Sequence, residues 1–483
     1  MTTTEHRTYG GWRRARAMGL FGLGFVQTLI VLAALAAALI TTAVDITATA
    51  VVAPIAAAVV IGNVARWDGV SLAQAIVHRG RWLTGSARGR IRFRGGVMAP
   101  PEHAWDLPGV LAPTTLLDAP GGYGVVWNRR LGTMTVTLRC AAQSTWLADP
   151  DAATTWVTNW GGWLASLGHI PTVRWVNVTV DTAPDAGTRL ADYITDRLAP
   201  GGPTAAIRIL QQLVATAPQA AAEVQSSVSI TFDPSASPVK PRSTVDRLAE
   251  VDRALPGLET SLSACGLTVL GRAATTDLAA MVRQAFDTDA RDDLGRADDD
   301  LLDWANAGPV TAEEYPDRYE HDNATSVSWA WHEAPRQPVP HNVLARLLAP
   351  GEHAKRVSLI YRPLTAGQAA AEVEQQVNAA QFRSAYRRAR RLDPTARELA
   401  DIERATAAAR EEALGAGLGL VSLWVTTTVT DPSLADRAVA DIESRADTCK
   451  IRLRRLWRSQ AAGFATTLPC GVCPPVLSGV WPH

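Results

Sequence analysis

Two long uncharged runs near the N-terminus constrain this chain more than any other feature. Residues 18–44 and 46–65 contain no Asp, Glu, Lys or Arg, and Asp45 alone separates them. A helix rises 1.5 Å per residue, so about 20 apolar residues cross the hydrocarbon core of a bilayer. One continuous helix would place Asp45 at mid-membrane, where a carboxylate is costly. The sequence therefore predicts a two-span hairpin over residues 18–65, with its turn around residues 41–47 at the far surface.

Arginines flank this hairpin on both sides. Those before it are Arg7, Arg13, Arg14 and Arg16, and those after it are Arg66, Arg79, Arg81, Arg88, Arg90, Arg92 and Arg94. The positive-inside rule assigns both flanks to the cytoplasm. We therefore expect a multi-pass protein of the inner (cytoplasmic) membrane with both termini in the cytoplasm. A cleaved signal peptide or a single anchor is the alternative, but the apolar core of a signal peptide is only ~7–15 residues long.

The balanced total charge hides a segregation along the chain. The sequence holds 47 basic and 47 acidic residues and is 47% hydrophobic, which argues against a generally basic nucleic-acid-binding protein and against a disordered chain. Residues 1–100, however, carry eleven arginines against three acidic residues. We expect no direct nucleic-acid binding. We expect contact with membrane lipid from eight arginines, which are Arg13, Arg14, Arg16, Arg79, Arg81, Arg90, Arg92 and Arg94. The alternation of basic and apolar residues up to Arg94 also suits an edge strand.

The five cysteines do not form a recognisable framework. They are odd in number and scattered, which argues against a disulfide scaffold. Cys470 and Cys473 form a CxxC pair, but a structural zinc site needs a second pair of ligands, and the nearest histidine is His483. We interpret the pair as incidental, with a redox or metal role as the alternative, and expect no cofactor.

The rest of the chain has the pattern of an α+β protein. Strands at 123–128 and 133–140 form a hairpin, and a helix at 152–167 carries a stripe of tryptophans. Helices at 204–224 and 341–348 and two long charged helices, at 366–391 and 395–413, are also predicted. The expected fold is a membrane-anchored α+β protein with two ferredoxin-like cytoplasmic halves and a long helical arm. Its predicted parts are a basic tail (1–17), the hairpin (18–65), a basic juxtamembrane segment and connector (66–122), a first half (123–286), an acidic connector (287–325), a second half (326–475) and a tail (476–483).

The sequence lacks the common catalytic motifs. It contains no GxxxxGK[ST], which argues against a P-loop ATPase, and no HExxH, GxSxG or GxGxxG in the required context. We therefore predict that the protein is not an enzyme.

A motif near the C-terminus carries a family resemblance. Gln460, Phe464, Leu468, Pro469 and Gly471 follow a predicted strand, a helix and a basic stretch. This run resembles the close of the non-catalytic N-terminal domain of type IV secretion and conjugation ATPases, with Cys470 replacing the usual leucine. The two-span N-terminus is similar to PrgI-family membrane components. The whole layout looks like a family of actinobacterial integral membrane proteins encoded beside such ATPases.

The resemblance implies a function. We expect a non-enzymatic structural component of a type IV-like secretion or conjugation machine, which anchors and docks a separate P-loop ATPase and forms homo- or hetero-oligomers. An EccE-like component of a type VII secretion system is the nearest alternative. A membrane-tethered enzyme or sensor is another, and its sign would be a deep pocket lined by convergent polar groups of perturbed pKa.

Overall fold

A computed structural model of the 483-residue chain divides into two compact units. It describes residues 9–10, 25–67, 70–96, 106–143, 148–185, 188–198, 201–216, 222–294, 302–335, 337–389, 396–413, 415 and 417–479. The hairpin unit comprises residues 10–90 and 367–416. The sheet unit comprises residues 91–366 and 417–483, together with Tyr9.

Helices and strands alternate along most of the described chain. The helices are α1 (Phe25–Val44), α2 (Ile46–Val64), α3 (Leu72–Ala87), α4 (Pro150–Ser166), α5 (Thr188–Arg197), α6 (Thr204–Thr216), α7 (Thr244–Ser263), α8 (Thr275–Phe286), α9 (Ala290–Leu294), α10 (Ala345–Leu348), α11 (Ala366–Ala389), α12 (Ala396–Ala413), α13 (Ala435–Thr448), α14 (Gln460–Thr466) and α15 (Pro474–Leu477). The strands are β1 (Arg66–Trp67), β2 (Val70–Ser71), β3 (Arg92–Arg94), β4 (Thr114–Ala119), β5 (Tyr123–Asn128), β6 (Thr133–Ala142), β7 (Val173–Pro184), β8 (Ala222–Phe232), β9 (Leu267–Arg272), β10 (Thr311–Glu314), β11 (Tyr319–His321), β12 (Ala324–Glu333), β13 (Ala354–Pro363), β14 (Gly419–Val429) and β15 (Arg452–Arg455).

The hairpin unit begins with the predicted pair of apolar helices. α1 ends at Val44 and α2 begins at Ile46, so the chain breaks its helix at Asp45, inside the predicted turn. α1 packs along α2, and the short β1–β2 hairpin then leads into α3, which also packs on α2. The charged helices α11 and α12 belong to the same unit, with bounds close to the prediction.

One antiparallel sheet of 13 strands organises the described part of the sheet unit. Its order is β3-β10-β11-β12-β14-β13-β7-β8-β6-β5-β4, and β15 and β9 pair additionally with β12 and β6. The strands β7 and β13 lie at the centre, paired in antiparallel register with Val178 opposite Leu359. The two predicted α+β halves are therefore joined edge to edge into one continuous sheet.

The two halves repeat one connectivity. In β6–β9 and again in β12–β15, the fourth strand pairs with the first, the first with the third, and the third with the second. A pair of helices follows the second strand each time, α5 and α6 after β7, and α11 and α12 after β13. The repeat places the two strands that join the halves at equivalent positions.

Helices cover the apolar face of this sheet. In the first half, Trp163 of α4 and Leu255 and Leu262 of α7 pack against strand residues such as Val136 and Ile230. In the second half, α13 packs on β12, β13 and β14 around Trp329, which is fully buried. Burial of these side chains is the main stabilising contribution to the sheet unit.

Several predicted boundaries differ from the structure. The predicted connector 66–122 contains α3, β3 and β4, and the predicted acidic connector 287–325 contains α9, β10, β11 and the start of β12. Each acidic residue of this part of β10 has a partner: Glu313 pairs with Arg92, and Glu314 accepts a hydrogen bond from the backbone N–H of Ala461. The helix predicted at 204–224 ends at Thr216, since 222–232 forms β8, and the helix predicted at 341–348 is only α10.

Candidate functional site

The surface of α1 and α2 is suited to a lipid environment. The stretches Gln27–Val44 and Ile46–Val64 are long and apolar enough to cross a membrane. Their apolar side chains are mostly exposed in the chain itself, up to 71% for Leu39, 82% for Val44 and 78% for Ile46. A soluble core helix buries such residues, so this pair has the length and the surface of a membrane anchor.

The turn of the hairpin satisfies its own polar groups. The Asp45 carboxylate accepts hydrogen bonds from the backbone N–H and the hydroxyl of Thr47, at 2.8 and 2.6 Å, and so caps α2. The hydroxyls of Thr41 and Thr42 donate back to the carbonyls of Ala37 and Ala38 at the end of α1. Helix termini leave unpaired backbone groups that are costly in an apolar medium, and Asp45 pairs one of these at the start of α2. The threonine bonds satisfy the hydroxyls themselves, since the Ala37 and Ala38 carbonyls lie within α1.

The predicted lipid-contacting arginines fall into separate groups. Arg79 and Arg81 lie exposed on α3, beside the exposed apolar side chains of Ile76, Val77 and Leu83. Arg90 is exposed just after that helix. Arg13, Arg14 and Arg16 lie outside the described residues. The hairpin unit therefore presents basic and apolar groups together on α3, as a helix at a membrane surface would.

Arg92 and Arg94 belong to the sheet unit instead. They lie on β3, which forms an edge of the large sheet and pairs with β10, as the edge-strand interpretation predicted. The Arg92 Nε atom lies 2.8 Å from the Glu313 Oε1 atom, so its charge already has a partner on the neighbouring strand. Arg94 is exposed and faces the same side as Arg92.

The residues of the C-terminal motif are buried and hold the sheet unit together. Gln460 is fully buried: its Oε1 accepts from the backbone N–H of Ser328 at 2.7 Å, and its Nε2 donates to the Leu456 carbonyl at 2.7 Å. Phe464 lies in an aromatic cluster with Phe286 and His321, at ring-centroid distances of 4.8 Å each. Leu468 and Pro469 are buried beside it, and Gly471 lies directly against the sheet.

His321 is a structural member of this cluster. Its ring nitrogens lie 2.6 Å from the Phe286 carbonyl and 2.8 Å from the Ser326 hydroxyl. Complete burial lowers the pKa of His321 to about 3, because the surroundings disfavour the charged ring. The imidazole is therefore neutral at physiological pH.

The face of the sheet opposite the helices α4, α7 and α13 is lined by hydroxyls. Cross-strand pairs join Thr137 to Ser229, Thr179 to Ser358 and Ser328 to Thr426, each at 2.9 Å between oxygens, and all are buried. Successive residues of a strand face opposite sides, so this polar face follows from serine and threonine at every second position. Sequence reasoning missed it, although runs such as 133–137 and 226–231 carry that alternation.

A cleft of about 570 Å³ opens on this polar face at the junction of the halves. Its lining includes Arg139, Thr179, Asp181, Ser227, Arg356 and Thr467, with Met281, Leu468 and Pro469 contributing apolar surface. A second cleft, of about 630 Å³, lies at the ends of β7 and β14, but both arginines of its lining are paired: Arg291 with Asp181 and Glu223, and Arg437 with Glu352.

Arg356 is the unusual group of the smaller cleft. It is only 3% exposed, its Nε donates to the Thr467 hydroxyl at 3.3 Å, and its guanidinium carbon lies 4.8 Å from the centre of the Phe464 ring. Burial lowers the pKa of Arg356 to about 10, and the nearby Asp181 opposes that shift. Its Nη2 atom is buried without a hydrogen-bond partner.

The CxxC cysteines are also buried. Cys470 and Cys473 are free thiols that are 2% and 1% exposed, and burial raises the pKa of Cys473 to about 12. A thiol protonated at neutral pH is a poor nucleophile and metal ligand. Within the described ranges, no group of three or more histidine, cysteine or acidic side chains is arranged to hold a metal ion.

Comparison with known families gives a match in the N-terminal region. Residues 16–74 match a family described as "Domain of unknown function (DUF8461)". The matched stretch contains α1, α2 and the beginning of α3, which is the apolar hairpin and its link to the basic segment. No curated protein matches the chain.

Proposed function

We propose that this protein is a non-enzymatic membrane component of a type IV-like secretion or conjugation machine, with the hairpin as its anchor, and with the α+β halves and their helical arm (α11 and α12) as a dock for a separate P-loop ATPase. The observation that carries the anchor role is the apolar, largely exposed pair α1 and α2. Apolar side chains exposed to water raise the free energy of a protein, so helices with this surface are more stable in lipid than in water.

The path of the chain supports a two-span topology. Before the hairpin, Tyr9 pairs with Val339 through two backbone hydrogen bonds of 2.8 Å, and after it β3 pairs with β10. Both attachments belong to the sheet unit. One compact unit lies on one side of a bilayer, so the chain between them crosses an even number of times. Two crossings with Asp45 at the far surface satisfy that condition.

The distribution of charge supports a cytoplasmic sheet unit. The arginines of α3 and of the flanks follow the positive-inside rule, and no basic residue lies between α1 and α2. Arg79, Arg81 and Arg90 then lie where anionic headgroups contribute about 1 kcal/mol for each basic residue near the surface.

The connectivity of the sheet unit supports the docking role. We infer that both halves are ferredoxin-like, since each follows the strand order fourth, first, third, second with helices on one face. The motif Gln460 to Gly471 and the helical arm of α11 and α12 resemble the non-catalytic domain of conjugation ATPases. Long helices with mixed charge are suited to binding a partner helix or a second copy.

The topology can be tested with one native and one introduced cysteine. Cys140, Cys449, Cys470 and Cys473 are buried, whereas Cys265 of the sheet unit is partly exposed. In intact cells, a membrane-impermeant maleimide should label the Asp45→Cys variant but not the wild type. After permeabilisation it should label Cys265 as well. Labelling of Cys265 in intact cells, or release of the protein from membranes at alkaline pH, would contradict the proposal.

The docking role needs a partner defined by sequence. The full chain, purified from its native membrane in mild detergent after cross-linking, should carry a protein with a GxxxxGK[ST] motif, identified by mass spectrometry. A variant with the α12 charges reversed at Arg404 and Arg410 should co-purify with less of this ATPase. Charge reversal at Arg253, which is exposed on α7, should leave the amount of co-purified ATPase unchanged. Recovery of the chain alone would refute this role.

An EccE-like component of a type VII machine is the nearest alternative, and the same experiment separates the two by the identity of the recovered ATPase. A membrane-tethered sensor is favoured by one specific observation, which is the polar cleft around Arg356.

A further inference from the structure

The cleft around Arg356 combines a buried cation and a partly buried anion that do not satisfy each other. Arg356 of β13 and Asp181 of β7 are direct cross-strand partners at the junction of the halves. The Asp181 Oδ2 atom accepts from Arg291 at 2.7 Å, while its Oδ1 atom is buried without a partner. The Arg356 Nη2 atom is unpartnered as well.

Such an arrangement is unfavourable for stability alone. Buried charged groups are normally paired, and a buried donor or acceptor left unsatisfied carries its full desolvation cost. The Phe464 ring and the Thr467 hydroxyl fix the position of the guanidinium without occupying all of its donors. A fixed cation with a spare donor, beside a carboxylate with a spare acceptor, is what a preorganised polar site provides.

The rest of the lining indicates the kind of ligand. The hydroxyls of Thr179 and Ser227 add donors and acceptors, and Met281, Leu468 and Pro469 add apolar surface. Arg139 also lines the cleft, but it is paired with Asp277 at 3.0 Å. A volume of about 570 Å³ is within the range of small-molecule sites. The apolar wall suits carbon-bearing molecules better than a bare inorganic ion.

We propose that this cleft binds a small organic anion, with its carboxylate or phosphate on Arg356 and an adjacent hydroxyl or ammonium group donating to Asp181. Arginine recognises both kinds of anion through charge-assisted hydrogen bonds. The site lies on the strand pair that joins the halves, so an occupant would contact β7 and β13 together. This inference does not depend on the docking role.

The test uses the full chain in detergent and two probes, L-lactate for a hydroxy-carboxylate and glycerol 3-phosphate for a phosphate monoester. Thermal unfolding is followed by tryptophan fluorescence, with sodium chloride matched for ionic strength. We expect one probe to raise the midpoint saturably, by about 2 °C or more at about 20 mM, since ligands that bind only the folded state stabilise it. If neither probe raises the midpoint above the salt control, the proposal is wrong.

Variants separate the site from a general salt effect. Arg356→Met should abolish the shift, while leaving the midpoint without probe unchanged or higher, because it removes an unpaired buried charge. Arg437→Met, in the other cleft, should keep the shift. Arg356→Lys retains the charge without the planar donors and should raise the probe concentration at half-saturation about tenfold. A shift that persists in Arg356→Met, or that is unchanged in Arg356→Lys, would overturn the proposal.

Discussion

Replacement of Gly471 by alanine tests whether the C-terminal motif acts by packing. Gly471 has a φ of +66°, and a Cβ there would lie 2.0 Å from the Thr135 Oγ1 atom and 2.8 Å from the Thr231 Oγ1 atom. The left-handed conformation costs an L-residue about 1–2 kcal/mol. Overpacking a rigid core costs about 1–3 kcal/mol more. We therefore expect Gly471→Ala to lower the free energy of unfolding by about 2–5 kcal/mol.

The measurement is the thermal midpoint of the full chain in detergent. At about 2 cal/mol/K per residue, about 300 ordered residues give a shift of about 1.5 °C per kcal/mol, so the loss should be about 3–8 °C. Gly132→Ala is the matched control, because Gly132 has a φ of +71° and nothing within 4 Å of its Cβ position. Its loss should correspond to the conformational cost alone.

A second variant tests whether the loss of Gly471→Ala beyond that of Gly132→Ala comes from the contact with Thr135. In a double-mutant cycle, Gly471→Ala should lower the free energy of unfolding by at least about 1 kcal/mol less in the Thr135→Ala background than in the wild type, because Thr135→Ala removes the nearest hydroxyl. Equal losses for Gly471→Ala and Gly132→Ala, or no restoration by Thr135→Ala, would refute the packing argument.

Three other changes probe the same region. Phe464→Ala should cost about 3–5 kcal/mol in chemical denaturation, because Phe464 is 1% exposed among aromatic rings; a loss below about 1 kcal/mol would contradict that packing. Gln460→Leu should cost about 1–3 kcal/mol, since it leaves the Ser328 N–H buried without an acceptor, and an unchanged free energy of unfolding would contradict that role. Protonation of His321 favours the unfolded chain, because its pKa is about 3 when folded and near 6.5 when unfolded, so stability falls as pH falls through that window. Relative to His321→Asn, the wild type should lose about 3 kcal/mol between pH 7 and pH 4, and a difference independent of pH would exclude this.

Local sequence signals predicted the elements that depend on local chemistry. The uncharged runs predicted the apolar helix pair, and Asp45 predicted the break between them, because its carboxylate caps the start of α2. The hairpin β5–β6 and the tryptophan-bearing α4 also follow from periodicities that a single segment displays. These features need no information about distant residues.

The remaining features depend on pairing between distant segments. The acidic stretch 287–325 is predicted as a connector, yet Glu313 and Glu314 lie in β10, and Glu313 pairs with Arg92, which lies 221 positions away in sequence. The joining of the halves through β7 and β13, and with it the cleft of Arg356 and Asp181, is equally non-local. An arginine in a predicted strand gives no sign by itself of which residue faces it.

The segments that flank the hairpin in sequence are attached to the sheet more weakly than the two halves are joined to each other. Among the described residues, Tyr9 is held by one isolated bridge, and β3 is held by three residue pairs at an outer edge. Edge strands of that length peel away one pair at a time, whereas the long central pair β7–β13 must lose seven pairs. Tension applied along the chain would therefore release these two segments before it separated the halves, so the joined halves would stay folded after the outer attachments were lost.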